Sequence, residues 1–413
     1  MKIGLVLEEF DPSRGGLAQW SVQFAARLLE RGHEVHVVAR RFGKFEKDLA
    51  VKMHHVADVR SQWHFARNAE KCLRSLDLDI IHDMGAGWYC DILQPHSGSR
   101  KAVVQQNLKL TPRWIRLAKR IWTRILPRYR QLEKMANRQC ADHDRIIMAL
   151  SKRVANDFER LHGVSPKQIR LVYNGVDVER FSPKHREKYR SSTRQLLNVG
   201  DDTMLLLIVA HNFRLKGVPT LLKAVAKWKN QDRPIHLAVV GGKRLKPYLR
   251  MARRLGIADH VTFVGVVKDA VPFYAAADVY VHPTLFDPCS LVVLEAMASA
   301  LPVVTSRFNG VSELLTKGHQ GHVISDPLDA NELLECLRLF TDTNICSQMG
   351  LAARKLALNH SFEHNVDEVL SVYQELARNK SQHVIEFLKS EHRPNADYKN
   401  RSDDESNRSR NAG

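Results

Sequence analysis

Short apolar strands, each closed by a polar turn and followed by a helix-period segment, recur along most of this chain. That alternation restricts it to an α/β fold with doubly wound parallel sheets. The first forty residues read as strand, loop, helix and strand: Met1 to Leu7, a helix over 18–30 with Gly32 as its C-cap, then Val35 to Ala39. Further short strands are predicted over 79–82 and 145–150. The pattern pauses at Leu171-Val172-Tyr173-Asn174-Gly175-Val176-Asp177, followed by Phe181-Ser182-Pro183 and a charged stretch to about Tyr189, which is read as an interdomain linker. A second α/β set then runs through 204–210, 236–242, 261–265 and 278–281. Two α/β halves of similar size place a cleft between them, the usual position for a ligand. From 390 to 413 the chain is polar, and a disordered tail is expected.

A length of 413 residues suits two domains and a tail, and 44% hydrophobic with 26% charged residues is a soluble globular composition. The chain opens directly on a strand, without the apolar region and small-residue cleavage site of a secretory signal. No run approaches the ~20 apolar residues of a membrane span. Cys72, Cys90, Cys140, Cys289, Cys336 and Cys346 are scattered without CxxC or metal spacing, so reduced thiols are expected. The outlier is the net charge of +18, which implies an anionic partner: nucleic acid, an anionic membrane or a phosphorylated substrate.

Part of that charge is concentrated in 113–130, which holds seven basic residues and no acid. On a helix wheel Trp114, Ile115, Leu117, Ala118, Ile121, Trp122, Ile125 and Leu126 share one half, while Arg113, Arg116, Lys119, Arg120 and Arg124 share the other. Such a helix either lies in an anionic membrane interface or packs its apolar half on its own domain; the membrane reading is favoured. Nucleic acid is disfavoured because no helix-turn-helix, zinc or aromatic RNA-binding signature is present.

Five local patterns carry possible chemistry. Gly15 and Gly16 lie between the first strand and the first helix, where a backbone can approach an anion; the pattern is not GxGxxG, and by itself a tight turn explains it. Arg214 and Lys216 follow the first strand of the second half and could neutralise a diphosphate, although on local sequence alone they read as solvated loop cations. His96 follows the 79–82 strand on the cleft side and is a candidate only. Asp77-Leu78-Asp79 has the form of a metal motif but sits at the start of a strand, so no metal is expected. Finally, Asp287-Pro288-Cys289-Ser290 precedes an apolar helix carrying Glu295, stopped by Ala300-Leu301-Pro302 before the strand Val303-Val304. The two acids bracket a helix N-terminus able to take an anion, or Asp287 is an N-cap and Glu295 a solvated residue; spacing leaves both open.

Taken in order, these pieces resemble the retaining glycosyltransferases of family 4, over about residues 1–380. The resemblance rests on Asp287-x7-Glu295 in the frame Leu-Val-Val-Leu-Glu-Ala-Met-Ala, and on Asn174-Gly175-Val176-Asp177 with Phe181 and Pro183. Lys216-Gly217, Phe263-x-Gly265 and Ala277-Asp278-Val279-x-Val281-x-Pro283 add to it. Phe10-x4-Gly15-Gly16-Leu17, the Phe213-x-x-Lys216-Gly217-Val218 form and the basic helix are most similar to lipopolysaccharide core glucosyltransferases. The resemblance implies the GT-B fold: an acceptor domain over 1–180, a nucleotide-sugar donor domain over 181–380 whose last helix (about 362–380) packs back on the first, and a tail over 381–413.

It also implies roles. Glu295 binds the donor ribose, Asp287 the donor sugar, and backbone N–H groups near Ser290, Leu291 and Val292 the sugar or diphosphate. Arg214 and Lys216 neutralise the leaving diphosphate, Gly15 and Gly16 approach the diphosphate and acceptor, and Val266 lies by the base. Glu313 resembles a structural or ribose-side acid. Lys216, Arg214, Asp287 and His96 are the expected catalytic residues. Two departures stand out: Asp replaces the first Glu, and Asp287-Pro288-Cys289-Ser290 replaces the usual Glu-Gly-Phe-Gly.

The expected reaction is retaining hexose transfer from a nucleotide-sugar, a uridine nucleotide before ADP or GDP, to a lipid-linked glycan at the cytoplasmic face of the inner membrane. No cofactor and no enzymatic nucleophile are expected, so catalysis rests on positioning and leaving-group stabilisation. Domain closure about 172–183 accompanies it. A soluble glucan synthase or epimerase, and an inactive peripheral membrane-binding protein, are the alternatives.

Overall fold

Runs such as Leu5-Val6-Leu7 and Leu205-Leu206-Leu207-Ile208 are apolar on both sides, so they can only be strands covered on both faces by helices. The computed structural model shows this twice, and describes residues 1–45, 49–56, 61–109, 111, 113–228 and 233–391. The first half runs β1 (Lys2–Phe10), α1 (Gly16–Glu30), β2 (Glu34–Phe42), β3 (Lys52–His55), α2 (Gln62–Arg74), β4 (Ile80–Asp83), β5 (Ile92–Leu93). It continues through α3 (Arg100–Lys109), α4 (Arg113–Ile125), α5 (Pro127–Cys140), β6 (Ile146–Ala149), α6 (Lys152–His162) and β7 (Ile169–Leu171). Its sheet has the order β3-β2-β1-β4-β5-β6-β7, parallel throughout.

The second half runs α7 (His185–Leu196), β8 (Met204–Val209), α8 (Val218–Ala226), β9 (Ile235–Val240), α9 (Lys246–Arg254), β10 (Val261–Gly265), α10 (Val271–Ala276) and β11 (Val279–His282). It ends with α11 (Leu291–Ala298), β12 (Val303–Ser306), β13 (Gly321–Ile324), α12 (Ala330–Arg338), α13 (Thr343–Leu358) and α14 (Phe362–Glu391). The second sheet, β10-β9-β8-β11-β12-β13, is again parallel. This is the GT-B architecture of two Rossmann-like halves. In both sheets the order reverses beside the first strand of the half, and that switch point opens a crevice at the strand carboxyl ends.

Two segments cross between the halves. Residues 172–183 leave β7, and residues 359–362 return from α13. They pair with each other: the Val176 N–H donates to His360 O at 3.0 Å and the Phe362 N–H to Val176 O at 2.8 Å. The start of α14 then lies on α1. Arg27 pairs with Glu363, Arg31 reaches Glu363 at 3.1 Å and Asp367 at 2.8 Å, and Trp20 Nε1 donates to Asn365 at 3.3 Å. The chain divides into two compact units, Met1–Val369 and Leu370–Gly413. The described part of the second unit is the remainder of α14, which continues past the expected end at 380 to Glu391. Of the tail predicted over 381–413, residues 381–391 are helical instead, and 392–413 lie outside the described residues.

The basic helix ends at Ile125, and Pro127 opens the next one, occupying the first position of α5, where a missing N–H costs nothing. Among the described residues, no helix is long and apolar enough to cross a membrane.

Candidate active site

The turn after β8 carries Lys216, and Gly217 ends it with φ +78, where a Cβ would fall 2.0 Å from Pro283 O. Only glycine fits there, and its placement aims the chain into α8 beside the end of β11. The turn after β11 carries Asp287. It is pinned to the turn after β12 on both sides: the Asp287 N–H donates to Phe308 O at 3.0 Å and the Gly310 N–H to Asp287 O at 2.9 Å. These two turns bring Lys216 Nζ to 2.5 Å from Asp287 Oδ2. His282 Nε2 stands 3.4 Å from the same oxygen. Burial raises the Asp287 pKa, but Lys216 and His282 outweigh it and hold the carboxyl well below the usual carboxylate range. The Lys216 ammonium has three donors, so the pair leaves two for another acceptor.

Ser290 caps α11 without a side-chain hydrogen bond to the helix. Its Oγ is buried and unpartnered, and its own N–H donates to Asn309 Oδ1 at 3.3 Å. The first N–H groups of α11 are therefore uncapped by side chains, beside a fixed lysine, in an arrangement suited to a phosphate or sugar oxygen. Asn174, on the crossing segment, locks this turn from behind by donating to Cys289 O at 2.7 Å.

Glu295 faces a cavity of about 370 Å³ between the halves, lined also by Gly16, Trp20, Asp177, Leu291 and Phe362. It is half-buried, and burial pushes its carboxyl up to about 7, partly opposed by the Tyr274 hydroxyl, which donates to it at 2.8 Å. Gly16 comes so close to the other half that a Cβ on it would lie 3.1 Å from the Leu291 side chain.

The expected residues thus separate into groups. Lys216, Asp287 and the start of α11 at Ser290–Val292 form one group, while Gly16, Leu291 and Glu295 line the cavity. Gly15 adopts φ +123 just before α1 but does not line it. Arg214 is exposed, and Val266 is 68% exposed on the turn after β10; neither bonds to the cluster. His96 stands apart, half-buried, with Nε2 3.0 Å from Gln94 Oε1 and its ring 5.0 Å from that of Trp20. Burial lowers its pKa to about 3, so it is neutral near pH 7.

Glu313 accepts the Lys152 and Arg153 N–H groups at 2.8 Å each and the Tyr173 hydroxyl at 3.0 Å. Of the two roles left open for it, this geometry is the structural one, capping α6 from the other half. Asp77 and Asp79 both engage Lys2, at 2.7 Å each. No group of three potential metal ligands occurs among the described residues. Tyr274 and His282 were not singled out from the sequence. Each is an ordinary apolar-strand or helix neighbour there, and only folding brings Tyr274 against Glu295, 21 positions on.

Two family models match in succession: Glycosyltransferase Family 4 over residues 14–180 and Glycosyl transferases group 1 over 203–342. With the fold and the paired turns above, they define the class: the chain belongs to the GT-B glycosyltransferases of these two families. In particular it is similar to the lipopolysaccharide glucosyltransferase WaaG of Escherichia coli, with 25% identity over 78% of this chain and 85% of that protein. The crystal structure of WaaG superposes with a TM-score of 0.77 at 22% identity, covering 90% of this chain and 99% of that one. HepE of Anabaena in complex with UDP-glucose gives 0.68 at 20% identity, covering 92% and 100%. The D-inositol 3-phosphate glycosyltransferase of Corynebacterium diphtheriae is 28% identical over 60% of this chain; the match spans 60% of that enzyme, and about half of its Thermobifida fusca counterpart.

Proposed function

We propose that the chain transfers a hexose from a nucleotide-sugar, a UDP-sugar first, to a glycan held at an anionic membrane surface, with retention at the anomeric carbon. The observation that carries this reading is the Lys216–Asp287 pair at the uncapped N-terminus of α11. HepE, which shares the fold, holds UDP-glucose. Lys216 and the α11 amides would stabilise the departing diphosphate, Glu295 would accept the ribose hydroxyls, and Arg214 would add charge at the rim. Asp287 is committed to Lys216 and His282, an arrangement that orients a sugar hydroxyl rather than forming a covalent intermediate. Catalysis would then need neither an enzymatic nucleophile nor a metal. His96, neutral and beside Trp20, would border the acceptor side of the cavity.

The membrane part rests on α4. Its apolar half does not pack inward: Trp114 is 84% exposed, Leu117 68% and Trp122 65%. On its basic side Lys119 Nζ lies 2.8 Å from Thr111 Oγ1 and Arg116 donates to Thr111 O at 3.2 Å, while Arg120 is exposed. An exposed tryptophan-bearing face flanked by cations suits an anionic bilayer interface, and favours a membrane-held acceptor over a soluble one. Each basic residue near such a surface adds about 1 kcal/mol.

A thermal-shift series of UDP-, ADP- and GDP-sugars tests the donor. A donor at about 100 times its Kd stabilises by about 2.7 kcal/mol. Transfer of the preferred sugar to a core glycan in anionic vesicles, with the anomeric configuration read by NMR, tests the rest. Stabilisation by none of the nucleotide-sugars would sink the proposal.

A further inference from the structure

A second cavity, of about 350 Å³, lies wholly in the first half, and none of the roles above uses it. Arg100 at the start of α3, Gln139 and Cys140 of α5, Phe158 and His162 of α6, and Gly98 line it.

Two of these side chains carry polar atoms without a hydrogen-bond partner among the described residues. Arg100 is half-buried and forms no ion pair among the described residues; Glu8 and Asp83 act on it only from a distance. Asp83 is already engaged, accepting the Gly85, Ala86 and Gly87 N–H groups at 2.6–2.7 Å. His162 holds Ser99 Oγ at 3.0 Å through Nε2, while its Nδ1 is buried without a hydrogen bond. Lys101 adds a second cation beside α6, donating to Leu161 O at 3.2 Å. A half-buried guanidinium and a buried imidazole nitrogen around one cavity suit an oxyanion.

The position of the cavity says what would carry that anion. Gly98 abuts the other half: a Cβ on it would fall 2.8 Å from the Phe286 ring and 3.1 Å from Pro288, the two neighbours of Asp287. On its far side α3 packs against α4, the helix with the exposed tryptophans. The cavity therefore sits between the membrane-facing helix and the turn bearing the donor-side acid.

We infer that this cavity is the subsite for an oxyanion, phosphate or carboxylate, carried by the acceptor glycan beside the hydroxyl that is glycosylated, with Arg100 its main partner and His162 its second. This rests on the transferase reading above. The subsite fixes the acceptor by its charge, next to a donor whose own charge is met by Lys216.

The test titrates full-length protein with UDP first, then, at saturating UDP, with glucose 1-phosphate, glucuronate, inorganic phosphate and glucose. UDP occupies the diphosphate site, so the later titrations read the second cavity. An anionic sugar binds and glucose does not. Arg100→Gln weakens that binding by at least about tenfold, Arg100→Lys retains part of it, and His162→Gln weakens it by a smaller factor. Equal affinity in wild type, Arg100→Gln and Arg100→Lys overturns the subsite. So does binding of inorganic phosphate with neither anionic sugar, which assigns the cavity to a free ion. Failure of UDP itself to bind sinks the donor reading instead, and the sugars titrated without UDP still decide the subsite.

Discussion

At the scale of single residues, Lys216 and Asp287 come from turns after different strands and meet at 2.5 Å. Lys216 is fixed by that contact, so it needs no reorganisation to meet charge developing on a leaving diphosphate. Lys216→Ala should therefore lower kcat by about 100-fold or more while changing donor KM by far less. Steady-state kinetics decide this; an unchanged kcat would remove Lys216 from the chemistry. Glu295 offers a pH test. Its carboxyl is raised to about 7, and ribose hydroxyls bind best to the ionised form. Binding then draws the proton off, so donor affinity rises as pH passes upward through 7, by about tenfold between pH 6 and 8. In Glu295→Gln that dependence should vanish, leaving a weaker and flat affinity. A wild-type donor affinity that stays flat from pH 6 to 8 would show that Glu295 does not bind the donor as a carboxylate.

At the scale of elements, α4 was legible in part. Its amphipathic pattern and its bounds follow from the spacing of tryptophans, arginines and Pro127, but which half faces inward does not. Periodicity separates the faces of a helix without saying which one the neighbours cover. Here Thr111 takes Arg116 and Lys119 of the cationic side, and the apolar side is left outside. If that face enters a bilayer, each tryptophan contributes about 1.5 kcal/mol or more on transfer. Trp114→Ala and Trp122→Ala should each weaken partition to anionic vesicles by about tenfold. Raising salt should weaken wild type further, because exposed charges are screened within ~8 Å at physiological ionic strength. Sedimentation with vesicles measures both, and variants that partition like wild type would return α4 to a merely exposed helix.

For the whole molecule, the alternation of strands and helices was enough to predict two doubly wound sheets, because parallel strands buried on both faces admit little else. The contacts that join the halves were not legible. Glu313 is the clearest case: the family resemblance allowed a ribose-side or a structural role, and only the fold brings it to the first turn of α6, 160 residues upstream. There it accepts two N–H groups and a phenol, as a carboxylate does at the positive end of a helix dipole. It ties the loop after β12 to the first half, on the same side as the Asn174 bond to Cys289. Asn365 forms the corresponding tie at the other crossing, accepting from Trp20 and donating to Tyr173 O at 2.6 Å. Closure about two crossings needs such ties to hold while the crevice moves. Glu313→Gln keeps the shape and loses the charge, so it should cost about 1–2 kcal/mol and expose the amides of 152–154 to faster hydrogen exchange. The loss should be local if α6 is merely capped. It should spread to 172–176 and to 360–365 if the acid also joins the halves, which the Tyr173 contact requires. Hydrogen-exchange mass spectrometry resolves these segments, and unchanged exchange across 172–176 would confine Glu313 to a helix cap.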